Sequence, residues 1–487
     1  MICVTGAEPT LDAVCQRIRS LPSADLHEVR LDLLEHPTTE LVRRLPDHDR
    51  LVITCRASNE GGRWAGSAAE KEALLRAALD AGARYVDLEA AAPDALWDAL
   101  HQEFEADRLV ASWHSFTKTG PDELGVALDR LSARPAATLK LATTIDDVVN
   151  LAELRALSPT GNRPLVRIGM GLAGMLGRIC YEQLGSPWTY VTAPDTAATA
   201  PGQVSLSLMR ERAARNATRL LVLLGGEQVS SSPGPRVYNR LCHDQGLPYY
   251  YLAAPTAAPE QALSLLSEFG LVGASVTMPH KTAAARLASR LDPAAANLDA
   301  VNTLVRDGAA WHGYNTDGAG VLGALASQLA ALGRPARAVV LGTGGAARAA
   351  AVALASRGHA VTVVARRAEA AAELAQQVGG EAAAFDELGA MDFDVLVNAT
   401  PVGADARESP LEQPLEWSDR TVLDMVLRPR ETRLLREVRE GGGRAVPGID
   451  MWAHQGAAQW RLLTGREVAP ETLRGFVAAP DDDGGDR

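Results

Sequence analysis

An amine, an imidazole and several guanidinium groups recur at the ends of apolar runs in the first half of this chain. Lys140 closes Ala137-Thr-Leu-Lys140, His114 lies within Ser112-Trp-His-Ser-Phe116, and Arg30, Arg56 and Arg178 end or follow neighbouring runs. A lysine crowded by arginines in a desolvated mouth is disfavoured as an ammonium, which favours a nucleophilic amine able to form an imine with a ketone. A nearby histidine can move protons, and arginines can hold a carboxylate or hydroxyls. The residues alone point to an imine-forming lyase or aldolase acting on a small acidic ketone. Taken singly, Lys140 reads as an ion-paired lysine and His114 as a structural histidine. Only convergence on one rim makes them a site.

A second constellation follows. Lys281 ends Ala274-Ser-Val-Thr-Met-Pro-His-Lys281, and Asp317 ends Gly313-Tyr-Asn-Thr-Asp317, with Ala300-Val-Asn-Thr303 between them. A lysine and a carboxylate beside a nicotinamide suit proton transfer coupled to hydride transfer. Further on, Ala338-Val-Val-Leu-Gly-Thr-Gly-Gly-Ala-Ala-Arg348 reads as a strand entering a glycine-rich turn and an alanine-rich helix. Gly342 and Gly344 permit the tight turn, and the helix N-terminus would carry a pyrophosphate. The next strand ends in Ala365-Arg-Arg367, where an NAD enzyme would carry an acidic residue, so the two arginines point to the 2′-phosphate of NADP.

These residues need rigid elements beneath them. Eight β-rich runs (Ile2-Thr5, Asp25-Arg30, Leu51-Arg56, Arg84-Leu88, Leu109-His114, Ala137-Leu141, Pro164-Ile168 and Trp188-Val191) alternate with helical stretches. That pattern predicts a (β/α)₈ barrel, whose chemistry lies at the carboxyl ends of its strands. Thr5, Glu28, Arg30, Arg56, Glu89, His114 and Lys140 fall there, and Arg178 and Gln203 follow the last two strands. From Leu220 the alternation resumes without repeating the barrel. The segment Ser230 to Asn239 reads as a polar, turn-rich loop.

Composition narrows the classes. A chain of 487 residues is too long for one core. A net charge of −12 argues against a nucleic-acid or anionic-membrane partner, and the five cysteines show no paired or zinc-binding spacing. With no apolar run of about 20 residues and no signal pattern, a soluble cytoplasmic protein is expected. The acidic tail around Asp481-Asp486 is expected to be disordered.

Against this reading, the first half resembles the type I 3-dehydroquinate dehydratases. The resemblance runs through Ala24-Asp-Leu-His-Glu-Val-Arg-Leu-Asp32, Arg56 with Glu60-Gly-Gly62, Ser112 to Phe116, Leu139-Lys-Leu-Ala142, Met170-Gly171 to Arg178, and Ala200-Pro-Gly-Gln203. It implies that Lys140 is the Schiff-base lysine and His114 the proton-transfer residue. Thr5, Glu28, Arg30, Arg56, Arg178, Thr199 and Gln203 would hold 3-dehydroquinate on its way to 3-dehydroshikimate. Ser115 departs from the usual Asp or Asn, and Thr199 from a common Ser.

From Leu220 to about Ala478 the chain resembles the shikimate dehydrogenases, also through Val397-Asn-Ala-Thr-Pro-Val-Gly403, Asp424-Met-Val426 with Pro429 and Thr432, and Gly448 to Gln455. This implies a catalytic pair of Lys281 and Asp317. Thr277, Asn302 and Gln455 would hold the ring hydroxyls and Ser232 the carboxylate. Gly342, Thr343, Gly344, Gly345, Ala346, Arg366, Arg367, Thr400, Met425 and Gly448 would hold NADP. Here Gly234 replaces a second carboxylate-binding Ser, Ser275 a frequent Asn, and Leu427 a common Tyr. The expected architecture is α/β: a barrel over 1–212, a substrate lobe over 220–325, a Rossmann-like NADP lobe over 326–446, a return to the substrate lobe over 447–478, and the tail over 479–487. The barrel-first order resembles bifunctional plant enzymes. The expected partners are small molecules, 3-dehydroquinate, 3-dehydroshikimate and shikimate, with the oligomeric state left open. Two alternatives remain: a dehydratase fused to a quinate or quinate/shikimate dehydrogenase, and a non-catalytic quinate-pathway regulator.

Overall fold

The computed structural model describes residues 1–194, 196, 199–411 and 415–478, so the acidic tail lies outside the described residues. Packing divides the chain into two compact units. The first holds Met1–Pro235 with Asn239–Leu271, and the second runs on from Val272 and includes Arg236–Tyr238.

The first unit begins with eight parallel strands: β1 (Ile2–Thr5), β2 (Leu26–Arg30), β3 (Leu51–Thr54), β4 (Tyr85–Glu89), β5 (Leu109–Lys118), β6 (Thr138–Thr144), β7 (Leu165–Met170) and β8 (Thr189–Thr192). They meet the expected runs to within a few residues. The largest departures are in β5, which continues past His114 to Lys118, and in β6, which continues past Leu141 to Thr144. Each strand from β1 to β6 pairs with the next, and β8 returns to pair with β1, with the short β9 (Val204–Ser205) on its outer side. The seam between β7 and β8 is bridged by one side chain. Ser186 Oγ accepts the Arg167 N–H at 3.1 Å and donates to the Trp188 carbonyl at 2.8 Å.

Alternation along the strands sorts the interior into layers. Cys3, Leu26, Val52, Tyr85 and Val110 belong to one buried apolar cluster, floored by the stacked rings of Tyr85 and Trp188 at 5.4 Å. Two residues further along the same strands stand Thr5, Glu28, Thr54, Asp87 and Ser112, and one more step brings Arg30, Arg56, Glu89 and His114. The barrel's polar mouth thus follows from the same period of two that builds its floor.

Beyond the barrel, β10 (Arg219–Gly225) and β11 (Tyr249–Pro255) pair in parallel within the first unit. The segment between them departs from the expected loop: Gly234–Asp244 is a helix. Pro235 suits its first turn, where no N–H is needed, and Ser232 Oγ accepts the Gly234 N–H at 3.2 Å.

In the second unit, β12 (Leu271–Val276), β14 (Thr303–Asp307) and β15 (Ala310–Tyr314) form an antiparallel series, with β13 (Arg290–Leu291) parallel to β15. A separate parallel sheet comprises β16 (Arg337–Leu341), β17 (Ala360–Val364), β18 (Glu381–Ala383), β19 (Val395–Asn398), β20 (Thr421–Asp424) and β21 (Arg444–Pro447). Its order, β18-β17-β16-β19-β20-β21, is the doubly wound nucleotide-binding order, with the topological switch between β16 and β19. Val340, Val363 and Val397 pack under Ala350 and Leu354 on one face, while Leu341, Leu396 and Val422 pack under Leu434 and Trp417 on the other.

Replacing Ser186 by Ala strips the barrel seam of both hydrogen bonds and leaves a buried amide and carbonyl unpaired. A loss of about 1–3 kcal/mol is expected, measurable as a lower midpoint in chemical unfolding.

Candidate active sites

The first unit gathers its charged side chains around one buried carboxylate. Asp87, fully buried on β4, accepts Lys140 Nζ at 2.9 Å on one oxygen. Its other oxygen accepts Arg56 Nη2 at 2.7 Å and Ser112 Oγ at 2.5 Å. These cations hold the Asp87 carboxyl far below the ordinary carboxylate range despite its burial. Lys140 also lies 3.7 Å from Glu28 and 4.2 Å above the centroid of the Tyr190 ring. The expected crowd of arginines is therefore corrected: the groups nearest the lysine are carboxylates and a π face, because Arg56 reaches Asp87 from the other side.

His114 Nδ1 meets Glu60 Oε2 at 3.0 Å. Burial, with Arg56 and Lys140 adding to it, keeps the imidazole well below its ordinary value, so it is neutral at neutral pH. Burial pushes the Glu60 carboxyl up to about 7, against the pull of Arg56. Arg30 is held by Asp32 through two bonds of 2.8 and 2.7 Å. Arg178, 2% exposed, donates from Nε to the Gly169 carbonyl at 3.0 Å and pairs with no carboxylate among the described residues. Burial alone lowers it to about 10, still a cation at neutral pH. Thr5 Oγ1 is buried without a hydrogen-bond partner, and Gln203 Oε1 accepts both the amide and the hydroxyl of Thr199 at 2.8 and 3.0 Å.

In the second unit Lys281 Nζ meets Asp317 Oδ2 at 2.5 Å. The other oxygen of Asp317 accepts Asn302 Nδ2 at 2.8 Å, and the same amide nitrogen reaches Thr316 Oγ1 at 2.9 Å. Thr316 Oγ1 in turn reaches Gln455 Oε1 at 3.3 Å. This last contact requires the helix Asp317–Ala331 to lie close on the helix Gly448–Thr464. Gly320 permits that: a Cβ there would stand 2.8 Å from Gln455 Cβ. Thr277 precedes Lys281, and the His280 N–H closes a turn on its carbonyl at 2.9 Å. Gln459, one turn beyond Gln455, is a buried junction. It donates to the Asn302 carbonyl and Thr303 Oγ1 at 3.0 and 2.9 Å and accepts Ser275 and Tyr238 hydroxyls at 2.7 and 3.0 Å. Ser232 and Gly234 belong to the first unit.

Residues 2–214 match the family model of type I 3-dehydroquinase, 224–304 that of the shikimate dehydrogenase substrate binding domain, and 324–405 that of shikimate / quinate 5-dehydrogenase. A chloroplastic bifunctional 3-dehydroquinate dehydratase/shikimate dehydrogenase of Arabidopsis thaliana is 30% identical over 479 residues, covering 92% of this chain and 79% of that protein. The chain belongs to this bifunctional family. Its second half is also 38% identical over 275 residues to a shikimate dehydrogenase (NADP(+)) of Methanopyrus kandleri, spanning 53% of this chain and 94% of that protein. Among solved structures, the shikimate dehydrogenase of Aquifex aeolicus matches with a TM-score of 0.51 at 29% identity, over 54% of this chain and 98% of that one. Another shikimate dehydrogenase, crystallised with NADP+, matches with a TM-score of 0.50 at 28% identity, over 53% and 94%.

The family's cofactor is NADP, and the second unit fits it. Gly342 ends β16 at φ +104°, a conformation that favours glycine. Past it, a Cβ at Gly344 or Gly345 would meet nothing within 4 Å, so the N-terminus of the helix Gly345–Ser356, which begins at Gly345 and Ala346, faces open space. Thr400 follows β19 across the switch point and is held by Asn398 Oδ1 at 2.7 Å. Met425 and Gly448 lie at the ends of β20 and β21, where a Cβ on Gly448 would stand 2.8 Å from the carbonyl of Asp424. A cavity of about 310 Å³ beside Thr343 is lined by Arg348, Arg367, Glu373 and Gln377. Arg366 is exposed and does not line it.

Sequence reasoning missed Asp87, Glu60, Gln459 and Arg348. The alternation Tyr85, Asp87, Glu89 on β4 could have found Asp87. Glu60 comes from a short turn after β3, and its approach to His114 has no local signal.

Ionised Glu60 accepts a hydrogen bond from His114 Nδ1–H and leaves Nε2 free to act as a base, whereas protonated Glu60 donates to Nδ1 and enforces the opposite tautomer. Dehydratase kcat/KM is therefore expected to rise with pH through about 7 and then level. In Glu60→Gln that inflection should vanish, which a pH–rate profile will test.

Proposed function

We propose that the barrel half dehydrates 3-dehydroquinate to 3-dehydroshikimate through an imine at Lys140, and that the second half reduces this product to shikimate with NADPH. The observation that carries the first step is a buried Lys140 amine at one mouth with the His114–Glu60 pair. Lys140 Nζ adds to the C3 ketone, and loss of water gives the imine. The imine acidifies the proton α to C3, His114 removes it, the adjacent hydroxyl leaves as water, and hydrolysis frees Lys140. Arg178, a buried cation with no carboxylate partner among the described residues, takes the substrate carboxylate. Thr5, Glu28, Thr199 and Gln203 take hydroxyls, while Arg56 and Arg30 act with Asp87 and Asp32 bound to them.

In the second half, bound NADPH supplies the hydride. Lys281, held by Asp317, delivers the proton to the substrate oxygen. Asn302, Thr277 and Gln455 hold ring hydroxyls, and Ser232 is assigned to the carboxylate. Gly342 to Ala346, Thr400, Met425 and Gly448 hold the cofactor. Arg367 and Arg366 serve its 2′-phosphate, with the cavity favouring Arg367 and adding Arg348. These roles divide the chain at 1–212, 220–325, 326–446 and 447–478. Five buried free cysteines accord with a cytoplasmic location.

Gly234 supports a second reading. A Cβ there would stand 3.3 Å from Ser232 Oγ and 3.7 Å from Tyr251 Oη, so glycine leaves space beside two hydroxyls. The extra hydroxyl of quinate suits such a space, and quinate oxidation is the alternative dehydrogenase activity.

Borohydride added with 3-dehydroquinate should leave a covalent mass on Lys140; an unmodified intact mass under turnover would exclude the imine. Lys281→Ala should lower dehydrogenase kcat by about 10²–10⁴ with NADPH affinity retained. Parallel assays with quinate and shikimate should give comparable kcat/KM if Gly234 admits quinate, and no quinate turnover would confine the enzyme to shikimate.

A further inference from the structure

The helix that carries Arg178 is short and poorly self-sustaining. Gly171–Ile179 has nine residues, three of them glycine, and its interior glycines, Gly174 and Gly177, are weaker helix formers than alanine. An isolated helix shorter than roughly 12 residues is marginal in any case. Packing must therefore hold it, and no carboxylate among the described residues pairs with the Arg178 guanidinium.

The last turn of this helix is gripped from outside the barrel. Arg212 Nη1 donates to the Ile179 carbonyl at 2.8 Å and Nε donates to the Ala217 carbonyl at 3.1 Å. The Arg212 guanidinium lies 4.7 Å from the centroid of the Tyr250 ring. Tyr250 Oη stands 3.3 Å from Cys180 Sγ, and Cys180 caps the helix by donating its N–H to the Leu176 carbonyl at 2.9 Å. Both side chains are buried, and burial pushes the Cys180 thiol up to about 11 and the Tyr250 phenol up as well, so the contact joins two neutral groups. Tyr250 lies on β11, within the stretch matched by the dehydrogenase substrate-domain model.

We propose that Tyr250, a residue of the dehydrogenase half, is a positioning residue for the dehydratase: with Arg212 it fixes the last turn of the helix Gly171–Ile179 and so places the guanidinium of Arg178. The proposal rests on the reading of Arg178 as the anchor of the substrate carboxylate. It makes part of one enzyme's binding geometry depend on a strand of the other.

The test compares full-length Tyr250→Ala, Tyr250→Phe, Arg178→Ala and the Tyr250→Ala/Arg178→Ala double variant, measuring kcat and KM for 3-dehydroquinate. Tyr250→Ala is expected to raise KM about tenfold with kcat within about threefold, Tyr250→Phe to raise it about twofold, and Arg178→Ala about a hundredfold. The double variant should be no worse than Arg178→Ala alone, since the first change acts through the second residue. If Arg178→Ala raises KM and Tyr250→Ala does not, the proposal is overturned and the anchor role stands. An unchanged KM in Arg178→Ala overturns both. Additive effects in the double variant refute the route through Arg178. A fall in kcat at constant KM marks a merely structural role and refutes it too. Should Tyr250→Ala fail to fold, Tyr250→Phe and Arg212→Lys decide by the same readouts, and normal KM in both overturns the proposal.

Discussion

A fully buried carboxylate is tolerated only when its charge is met, and Asp87 meets that condition through an ammonium, a guanidinium and a hydroxyl. The arrangement fixes more than Asp87. It draws Lys140 across the barrel onto the face of Tyr190, turns Arg56 inward, and leaves Glu60 and Glu89 as further carboxylates near Arg56 at 3.8 Å each. Lys71 neutralises Glu89 at 2.5 Å, whereas Glu60 has the His114 imidazole as its close partner. The least compensated carboxyl is therefore the one beside the proposed base. Its proton affinity rises into the neutral range as a consequence of how the other charges are spent.

The second unit solves a related problem with amides. Asp317 is held on one side by Lys281 and on the other by Asn302, whose side-chain Oδ1 accepts the Thr316 N–H at 3.0 Å and the Thr303 hydroxyl at 2.8 Å. Asn302 is itself anchored through its backbone by Gln459. The proposed catalytic lysine thus sits at the end of a chain of neutral hydrogen bonds reaching into the helix Gly448–Thr464. Neutral partners orient the carboxylate without competing for the charge that Lys281 supplies.

What the sequence makes legible follows from periodicity. The eight barrel strands, the doubly wound sheet and the placement of Glu28, Arg30, Arg56, His114 and Lys140 on or just after barrel strands come from alternation of two and from glycine placement, although β5 and β6 continue past His114 and Lys140. Charge pairing is less legible. Arg30 and Arg56 read as free substrate ligands, yet Asp32, only two residues on, holds the first, and Asp87, brought alongside by the pairing of β3 with β4, holds the second. The helix Gly234–Asp244 was hidden by a Ser/Pro/Gly-rich start that reads as a loop but caps a helix. At the nucleotide turn, adjacent Arg366 and Arg367 are equivalent in sequence, while the start of the helix Ala368–Val378 separates them and leaves Arg367 lining the cavity with Arg348.

The strand β11 pairs with β10 and lies buried along its whole length within the unit that contains the barrel. Homology draws the border between the two enzymes in the few residues separating 214 and 224, whereas packing draws it tens of residues later. A chain cut at the homology border, ahead of β10, would uncover Tyr249, Tyr250 and the outer edge of a seven-residue strand. Such an open edge invites pairing with other chains. Part of the second enzyme's apolar surface is thereby buried within the unit that holds the first.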